Sequence, residues 1–313
     1  MRVVFMGTPG FAAASLNEIH TNSQHEVVGV VTVADKPSGR GQKMNISEVK
    51  KYALEHDLPL LQPDKLRDEQ FIADLKALNA DVFVVVAFRM LPQIVWSIPA
   101  KGTFNLHGSL LPQYRGAAPI NWAVMNGEEK TGVTTFLINE DIDTGNILLA
   151  DEVVINENDN VGVIHDQLMK IGAKLVVTTL DGLATDSLKP HPQDETIELK
   201  HAPKIFKEDC QIDWNQSIQT IHNKIRGLSP YPCAWTTYGK DEQYKSLKIY
   251  AGQKSDFEQQ GDTFELIRTK NNLYVNLPEG MYEILELQPE GKRRMNAKDF
   301  INGSQNDGRI FVK

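Results

Sequence analysis

The sequence predicts two domains, an N-terminal α/β domain with a doubly wound, mostly parallel sheet and a small C-terminal β-barrel domain. Its 313 residues fit two domains of ordinary size. Strand signals alternate with helix signals over the first two thirds of the chain, whereas short strand signals follow a single helix in the last third. Hydrophobic residues make up 41% and charged residues 24%, which excludes disordered, collagen-like and coiled-coil chains.

Each N-terminal element follows from the period of its apolar residues. The run 81–88 is rich in β-branched residues and apolar on both faces, which is typical of a strand buried between two layers of helices. Ser47 is a suitable N-cap for the helix that begins there. The predicted strands are 2–6, 27–33, 81–88, 103–107, 133–138 and 147–155, and the predicted helices are 11–19, 47–56, 69–78 and 161–183.

The composition changes after residue 186. Residues 187–204 contain three prolines and several charges but little apolar periodicity, so we interpret them as a linker between a domain at 1–186 and a domain at 205–313. The C-terminal domain is predicted to contain a helix at 217–226 and strands at 247–251, 263–267, 273–277, 281–287 and 310–312. Five short strands fit a small barrel of the oligonucleotide-binding type.

The distribution of apolar residues, cysteines and histidines argues against a membrane-spanning, secreted, disulfide-linked or metal-binding protein. The longest apolar run has seven residues, at 82–88, and a membrane span needs about 20. The apolar stretch at the start of the chain is too short for the core of a signal peptide, so we expect a cytoplasmic protein. The two cysteines, Cys210 and Cys233, and the scattered histidines fit neither a disulfide scaffold nor a metal site, and we expect no metal.

The net charge of −8 lies entirely in residues 1–205, which carry 18 basic and 26 acidic residues. Residues 206–313 carry 15 of each. An acidic chain repels nucleic acid at long range, so any RNA binding requires a local basic patch.

Asn105 and His107 form the first candidate for a catalytic site. They lie two positions apart in a predicted strand and therefore point to the same face. The strand stops at Gly108, and open α/β sheets bind ligands at this end of their strands. An amide beside an imidazole can stabilise a developing oxyanion, although an Asn-x-His pair is also common as a purely structural feature.

Asp143 lies between two predicted strands, in the sequence Asp141-Ile142-Asp143-Thr144-Gly145. Its carboxylate could hold a protonated His107 and accept a proton through water. It could equally be a turn residue that caps Thr144-Gly145. The spacing alone favours neither reading.

Residues 35–43 form a glycine-rich stretch with three positive charges, on Lys36, Arg40 and Lys43. Arg40 lies between two glycines, so this stretch could be a flexible arm that follows a phosphate backbone. A solvated surface loop is the alternative.

These motifs resemble the folate-dependent formyltransferase superfamily, and the resemblance covers essentially the whole chain. The basic stretch and the Leu-Ser-Pro-Tyr-Pro segment at 228–232 narrow it to the methionyl-tRNA formyltransferase family or its close relatives. The segments that carry the resemblance are 7–9, 39–43, 105–119, 143–145 and 225–235.

The resemblance implies that 10-formyltetrahydrofolate donates a formyl group to the α-amine of methionine on initiator tRNA, without a metal. Carried over by position, the catalytic set is Asn105, His107 and Asp143. The folate-binding residues would be Ser109, Leu110, Leu111, Pro112, Phe88, Arg89 and Met90, and the tRNA-binding residues would be Arg40, Lys36 and Lys43. We expect a monomer.

The chain departs from the family pattern at a few positions. Phe88-Arg89 stands where many members have Tyr-Gly, and Asp141 stands where glycine is common. Neither change affects the proposed catalytic residues. Phe88-Arg89, however, means that the family pattern does not determine the contacts to the pterin.

Two other functions are compatible with the same sequence features. A formyltransferase that acts on a nucleotide-sugar amine would share the Asn-x-His and Asp signature, but it would not require the arm at 39–43. A catalytically silent RNA-binding protein on the same scaffold would have no need of an intact Asn105, His107 and Asp143.

Overall fold

The computed structural model describes residues 1–38, 43–240, 242–303 and 308–313, without the side chains of Ser38 and Lys43. The chain divides into two compact units, and each unit combines segments that are separate in sequence. The first unit comprises Met1–Gly116, Gly132–Val153 and Asp166–His201, and the second comprises Ala117–Thr131, Val154–His165 and Ala202–Lys313. The division into domains at 1–186 and 205–313 with a linker at 187–204 remains a prediction.

The elements are numbered in chain order. The strands are β1 (Arg2–Gly7), β2 (Glu26–Val31), β3 (Lys36–Ser38), β4 (Lys43–Asn45), β5 (Leu60–Leu61), β6 (Val82–Val86), β7 (Thr103–His107), β8 (Arg115–Gly116), β9 (Lys130–Leu137), β10 (Ile147–Val154), β11 (His201–Ala202), β12 (Ala234–Lys240), β13 (Gln243–Ser255), β14 (Leu266–Arg268), β15 (Leu273–Leu277), β16 (Gly280–Pro289), β17 (Met295–Asn296) and β18 (Phe311–Val312). The helices are α1 (Gly10–Asn22), α2 (Glu48–Glu55), α3 (Glu69–Ala77), α4 (Gln93–Trp96), α5 (Pro119–Met125), α6 (Val161–Ala184), α7 (Ile218–Leu228) and α8 (Ala297–Gly303), with a 3₁₀ turn at Glu208–Cys210.

The first unit contains a seven-stranded sheet in the order β10-β9-β7-β6-β1-β2-β5. The pairs β1–β2, β1–β6, β6–β7 and β2–β5 are parallel, and β7–β9 is antiparallel. All five residues of β6 are buried, as expected for a strand with packing on both faces. The predicted α/β class with a mostly parallel sheet is thereby confirmed.

Helix α6 determines which face of β7 is available for a site. A Cβ at Gly172 would lie 2.9 Å from Cδ2 of Leu106, so the helix packs closely on that residue. Because strand side chains alternate between faces, Asn105 and His107 point away from α6. The helix therefore covers one face of β7, and Asn105 and His107 lie on the opposite face.

The second unit contains an antiparallel sheet in the order β14-β15-β16-β13-β12-β18. Its two edges meet, since Glu265 pairs with Phe311 and the amide of Leu266 donates to the carbonyl of Ile310 at 2.7 Å. The sheet is thus nearly a closed barrel, as the sequence predicts. Strand β12 and helix α8 were not predicted, because β12 carries Thr, Tyr and Gly in place of a clear apolar alternation.

Residues 35–43 were predicted as a glycine-rich loop, either a flexible arm or a solvated surface loop, and the described residues at its two ends form a short antiparallel ribbon. Strand β3 pairs with β4, with Lys36 opposite Asn45 and Ser38 opposite Lys43. Ser47 caps α2 as predicted, because its hydroxyl accepts a hydrogen bond from the amide of Lys50 at 3.0 Å. Across the parts of the chain that the structure describes, no helix has the length and apolar character of a membrane span.

A buried histidine links two segments of the second unit. His222 in α7 is 3% exposed, and its Nε2 lies 3.1 Å from the carbonyl oxygen of Glu157. Its Nδ1 lies 3.2 Å from the hydroxyl of Tyr282. Because a carbonyl only accepts, Nε2 carries the proton and Nδ1 accepts from Tyr282. Burial lowers the pKa of the His222 imidazole below its usual value.

This burial predicts a pH dependence of stability. The unfolded chain binds a proton at His222 more tightly than the folded chain does, so the free energy of unfolding should fall as pH falls below about 6.5. The slope from this one group is at most about 1.4 kcal/mol per pH unit. His222→Gln keeps an acceptor and a donor but does not titrate, so it should remove this part of the slope in denaturant titrations between pH 7 and pH 5. Exposed His201→Gln is the control, and a slope that His222→Gln leaves unchanged would contradict the prediction.

Candidate active site

The carboxyl end of β7 places Asn105 and His107 together where the parallel part of the sheet meets the antiparallel strand β9. Asn105 pairs with Val85 of β6, and His107 lies opposite Thr134 of β9. His107 is 6% exposed, while Asn105 is half-buried. The buried Oδ1 atom of Asn105 has no hydrogen-bond partner among the described residues. A buried acceptor without a partner is costly, so this atom fits a site that a ligand completes.

The ring of His107 is fixed by a backbone carbonyl. Its Nε2 lies 2.9 Å from the carbonyl oxygen of Tyr114, which has a left-handed backbone with φ of 60°. Since the carbonyl can only accept, Nε2 carries a proton and the neutral ring has its lone pair on Nδ1. Nδ1 is therefore the ring atom that can gain or lose a proton during a reaction.

Asp143 directs its carboxylate to that atom. Its Oδ2 lies 3.8 Å from Nδ1 of His107, which is longer than a hydrogen bond but close for two charges. The same Oδ2 accepts a hydrogen bond from the amide of Gly116 at 2.9 Å. The hydroxyl of Thr144 donates to Asn139 and to the carbonyl of Asp141, not to Asp143. The geometry thus favours the reading in which Asp143 faces His107 over the turn-cap reading.

The backbone around Asp143 is tightly constrained. Asp143 has φ of 57°, a conformation that aspartate tolerates better than most residues. A Cβ at Gly145 would lie 1.6 Å from the carbonyl oxygen of Leu137, so no other residue fits there. The shape of this turn therefore requires Gly145 and is compatible with aspartate at position 143.

The stretch Ser109, Leu110, Leu111, Pro112 forms a compact loop next to the strand end. The Thr134 hydroxyl donates to the carbonyl of Ser109 at 2.7 Å and accepts from the amide of Leu111 at 3.1 Å. The Ser109 hydroxyl donates to the carbonyl of Gln113 at 2.6 Å, so it closes the loop on itself. The Leu111 side chain packs with Phe136 and Ile147. Leu110 and Pro112 are half-buried, which leaves part of the loop available to a ligand.

Phe88, Arg89 and Met90 directly follow β6. Met90 is 74% exposed, and Phe88 is half-buried with the Arg89 guanidinium 5.6 Å from its ring centroid. Arg89 donates to the carbonyls of Pro63 and Asp64. Its guanidinium is thereby held by backbone oxygens of a neighbouring loop, while its buried Nε has no partner among the described residues.

The predicted basic arm is only partly described. Lys36 is exposed on β3, and Lys43 lies at the start of β4. Arg40 lies outside the described residues. Below the ribbon, Asp35 pairs with the Lys50 ammonium and accepts from Gln62 at 2.9 Å, which anchors the start of β3 to the first unit.

Residues to which the sequence assigned no role complete the site. Tyr114 and Gly116 contribute backbone groups, and Gln193 and Arg115 contribute side chains that hydrogen-bond to each other beside Asp143. Backbone contacts carry no residue-type signal, and Gln193 lies in the segment interpreted as a linker. Among the described residues, no cluster of three His, Cys, Asp or Glu side chains is placed to hold a metal ion.

The chain matches the models of a known protein family over most of its length. Residues 1–180 match the model of "Formyl transferase", and residues 204–305 match "Formyl transferase, C-terminal domain". The chain is 48% identical to a methionyl-tRNA formyltransferase of Flavobacterium psychrophilum, over 97% of this chain and 96% of that protein. It is 47% identical to the methionyl-tRNA formyltransferase of Bacteroides fragilis, over 97% of this chain and 95% of that one.

Solved structures show the same fold at lower identity. HypX from Aquifex aeolicus in complex with tetrahydrofolic acid gives a TM-score of 0.65 at 18% identity, over 96% of this chain and 47% of that chain. The sugar 3N-formyltransferase WlaRD gives 0.62 at 21% identity, over 94% of this chain and 99% of that chain. At these identities the likeness extends to the fold and not to the acceptor.

Proposed function

The chain belongs to the methionyl-tRNA formyltransferase family, and we propose that Asn105, His107 and Asp143 carry out its reaction. It transfers a formyl group from 10-formyltetrahydrofolate to the α-amine of methionine on initiator methionyl-tRNA. Two features of the end of β7 support these roles. The Oδ1 atom of Asn105 has no hydrogen-bond partner among the described residues, and Nδ1 of His107 faces the carboxylate of Asp143.

The amine nitrogen attacks the formyl carbon, a new C–N bond forms, and the formyl oxygen becomes an oxyanion. Asn105 carries both kinds of hydrogen-bonding group that this step needs. Its amide nitrogen donates to the oxyanion, and its oxygen, which has no partner among the described residues, accepts from the attacking amine. The residue therefore orients the nucleophile and stabilises the charge that the attack creates.

His107 assists through Nδ1. When this nitrogen is protonated, the ring is a cation that can donate to the oxyanion while Nε2 stays bound to the Tyr114 carbonyl. The Asp143 carboxylate lies 3.8 Å away and faces the same nitrogen. His107 and Asp143 thus form a pair that can hold a proton on the same face of β7 to which Asn105 points.

Collapse of the tetrahedral intermediate breaks the bond between the formyl carbon and N10 of the folate. The attacking amine loses one proton and N10 gains one, so the site must move a proton between them. Asp143 can accept the proton of the amine, directly or through water, and His107 can return one to N10. Transfer of a proton from Asp143 to Nδ1 of His107 then restores both groups, so the protein gains and loses no net proton in one turnover.

We assign the folate to Ser109, Leu110, Leu111, Pro112, Phe88, Arg89 and Met90, which follow the ends of the adjacent strands β7 and β6. Ligands bind at this end of parallel strands in α/β sheets. Because the Ser109 hydroxyl already donates to Gln113, this residue contributes its backbone and loop shape. Phe88 and Met90 contribute apolar surface for the pterin.

Catalysis by the strand-end pair predicts a large loss in two variants. His107→Ala and Asn105→Ala should each lower kcat by about 10²-fold or more, because each removes an oxyanion donor. The measurement is formylation of charged initiator tRNA at saturating 10-formyltetrahydrofolate, with circular dichroism to verify the fold. His56→Ala, an exposed histidine at the end of α2, is the control. Near-wild-type turnover in either variant would remove that residue from the mechanism.

We propose that Lys36, Arg40 and Lys43 bind the tRNA as a basic arm, and that the protein acts as a cytoplasmic monomer. One chain supplies the whole catalytic set, so no second subunit is required. The first 205 residues carry an excess of eight acidic residues, which makes a local basic patch necessary for RNA binding. Translation and tRNA charging take place in the cytoplasm, where this acceptor is made.

The arm predicts a defect that is specific to tRNA. Arg40→Ala should lower kcat/KM for charged initiator tRNA by about 10-fold and make its salt dependence shallower by about one phosphate contact. Folate affinity should not change, because the proposed folate residues lie elsewhere. Arg67→Ala, an exposed arginine outside the arm, is the control. Equal loss of folate binding, or no loss with tRNA, would contradict the arm and favour a small amine such as an amino-sugar nucleotide as acceptor.

A further inference from the structure

Gln193 makes two hydrogen bonds to the turn that carries Asp143. Its Nε2 donates to the carbonyl oxygen of Asp143 at 2.8 Å and to that of Gly145 at 2.9 Å. The residue is 9% exposed, although it lies 50 positions from Asp143 in a proline-rich segment without regular structure. One amide group thus uses both its hydrogens on the backbone of a single turn.

Arg115 fixes the orientation of this amide. Its Nε and Nη2 donate to Oε1 of Gln193 at 3.0 and 2.7 Å. A guanidinium has only donors, so Oε1 must face Arg115 and Nε2 must face the two carbonyls. The side chain of Gln193 is therefore held in one orientation, with no alternative that satisfies both sets of partners.

The segment that contains Arg115 also contacts the carboxylate of Asp143. The amide of Gly116, next to Arg115 in the chain, donates to Oδ2 of Asp143. Asp143 is therefore held at its main-chain carbonyl through Gln193 and at its side chain through Gly116. This double attachment is needed because the residue has a left-handed backbone, which costs free energy without such support.

We infer that Gln193 is a positioning residue, which holds the Asp143 carboxylate beside Nδ1 of His107 by binding the backbone of its turn. The inference rests on the roles proposed above for Asp143 and His107. Gln193 lies near no substrate atom in this account and acts through Asp143 alone. Without these two hydrogen bonds Asp143 keeps its bond to the Gly116 amide but loses the support of its backbone, and the carboxylate leaves the position that the reaction needs.

Two variants separate hydrogen bonding from packing. Gln193→Ala removes both hydrogen bonds, whereas Gln193→Glu keeps the shape and the contact with Arg115 but places acceptors against the two carbonyl oxygens. We expect both to lower kcat by about 10-fold with KM for folate and for tRNA unchanged, since misplacement of a catalytic group affects the chemical step. A Gln193→Glu variant with wild-type kcat would overturn the inference.

Leu188→Ala is the control. Leu188 also attaches the segment after residue 187, because it packs closely on Gly182 of α6, but it lies outside the site residues and the Asp143 turn. If attachment of this segment were all that matters, Leu188→Ala would lower kcat as much as Gln193→Ala does. That result, with similar losses of thermal stability in both variants, would also overturn the inference.

A double-mutant cycle tests the route of action. In the Asp143→Asn background, Gln193→Ala should lower kcat by less than about 2-fold, because the group it positions has already been removed. A full and independent 10-fold loss in that background would show that Gln193 does not act through Asp143. If Asp143→Asn alone has wild-type activity, the proposed mechanism fails first; if it is impaired while the Gln193 variants are not, only this inference fails.

Discussion

The proposed active site depends on one hydrogen bond, between Nε2 of His107 and the backbone carbonyl of Tyr114. This bond determines which ring nitrogen carries the proton, and thereby which one faces Asp143. It requires the chain to return to the strand end seven residues after leaving it, with Tyr114 in a left-handed conformation. The amide of Tyr114 donates to the carbonyl of Lys200 at 2.6 Å, which holds the returning loop in place. Thr134 holds the start of the same loop from the neighbouring strand.

The parts of the site that share a short sequence motif could be predicted. The period of two in a strand places Asn105 and His107 on one face, and β7 has the predicted bounds, Thr103–His107. Gly145 is required by the 1.6 Å approach that a Cβ would make to Leu137, so the Asp-Thr-Gly sequence carries a real structural signal. In these cases local geometry follows directly from residue type.

The remaining partners could not be predicted, for physical reasons. Any residue can offer the carbonyl that Tyr114 provides, so the sequence carries no signal for it. Gln193 lies in a segment whose composition indicates a linker, yet composition reports flexibility of an isolated chain and not contacts made after folding. The ribbon formed by β3 and β4 was missed because three-residue strands with prolines and charges lack any apolar alternation.

The tautomer of His107 is the most direct test of this account. Nitrogen-15 NMR of the protein with labelled histidine rings, in alkaline buffer where imidazoles are neutral, distinguishes a protonated from an unprotonated ring nitrogen. A His107→Gln spectrum assigns the signals. We expect Nε2 of His107 to be protonated and Nδ1 to be unprotonated, because Nε2 faces the Tyr114 carbonyl. A ring with its proton on Nδ1, or exchanging between both nitrogens, would contradict it.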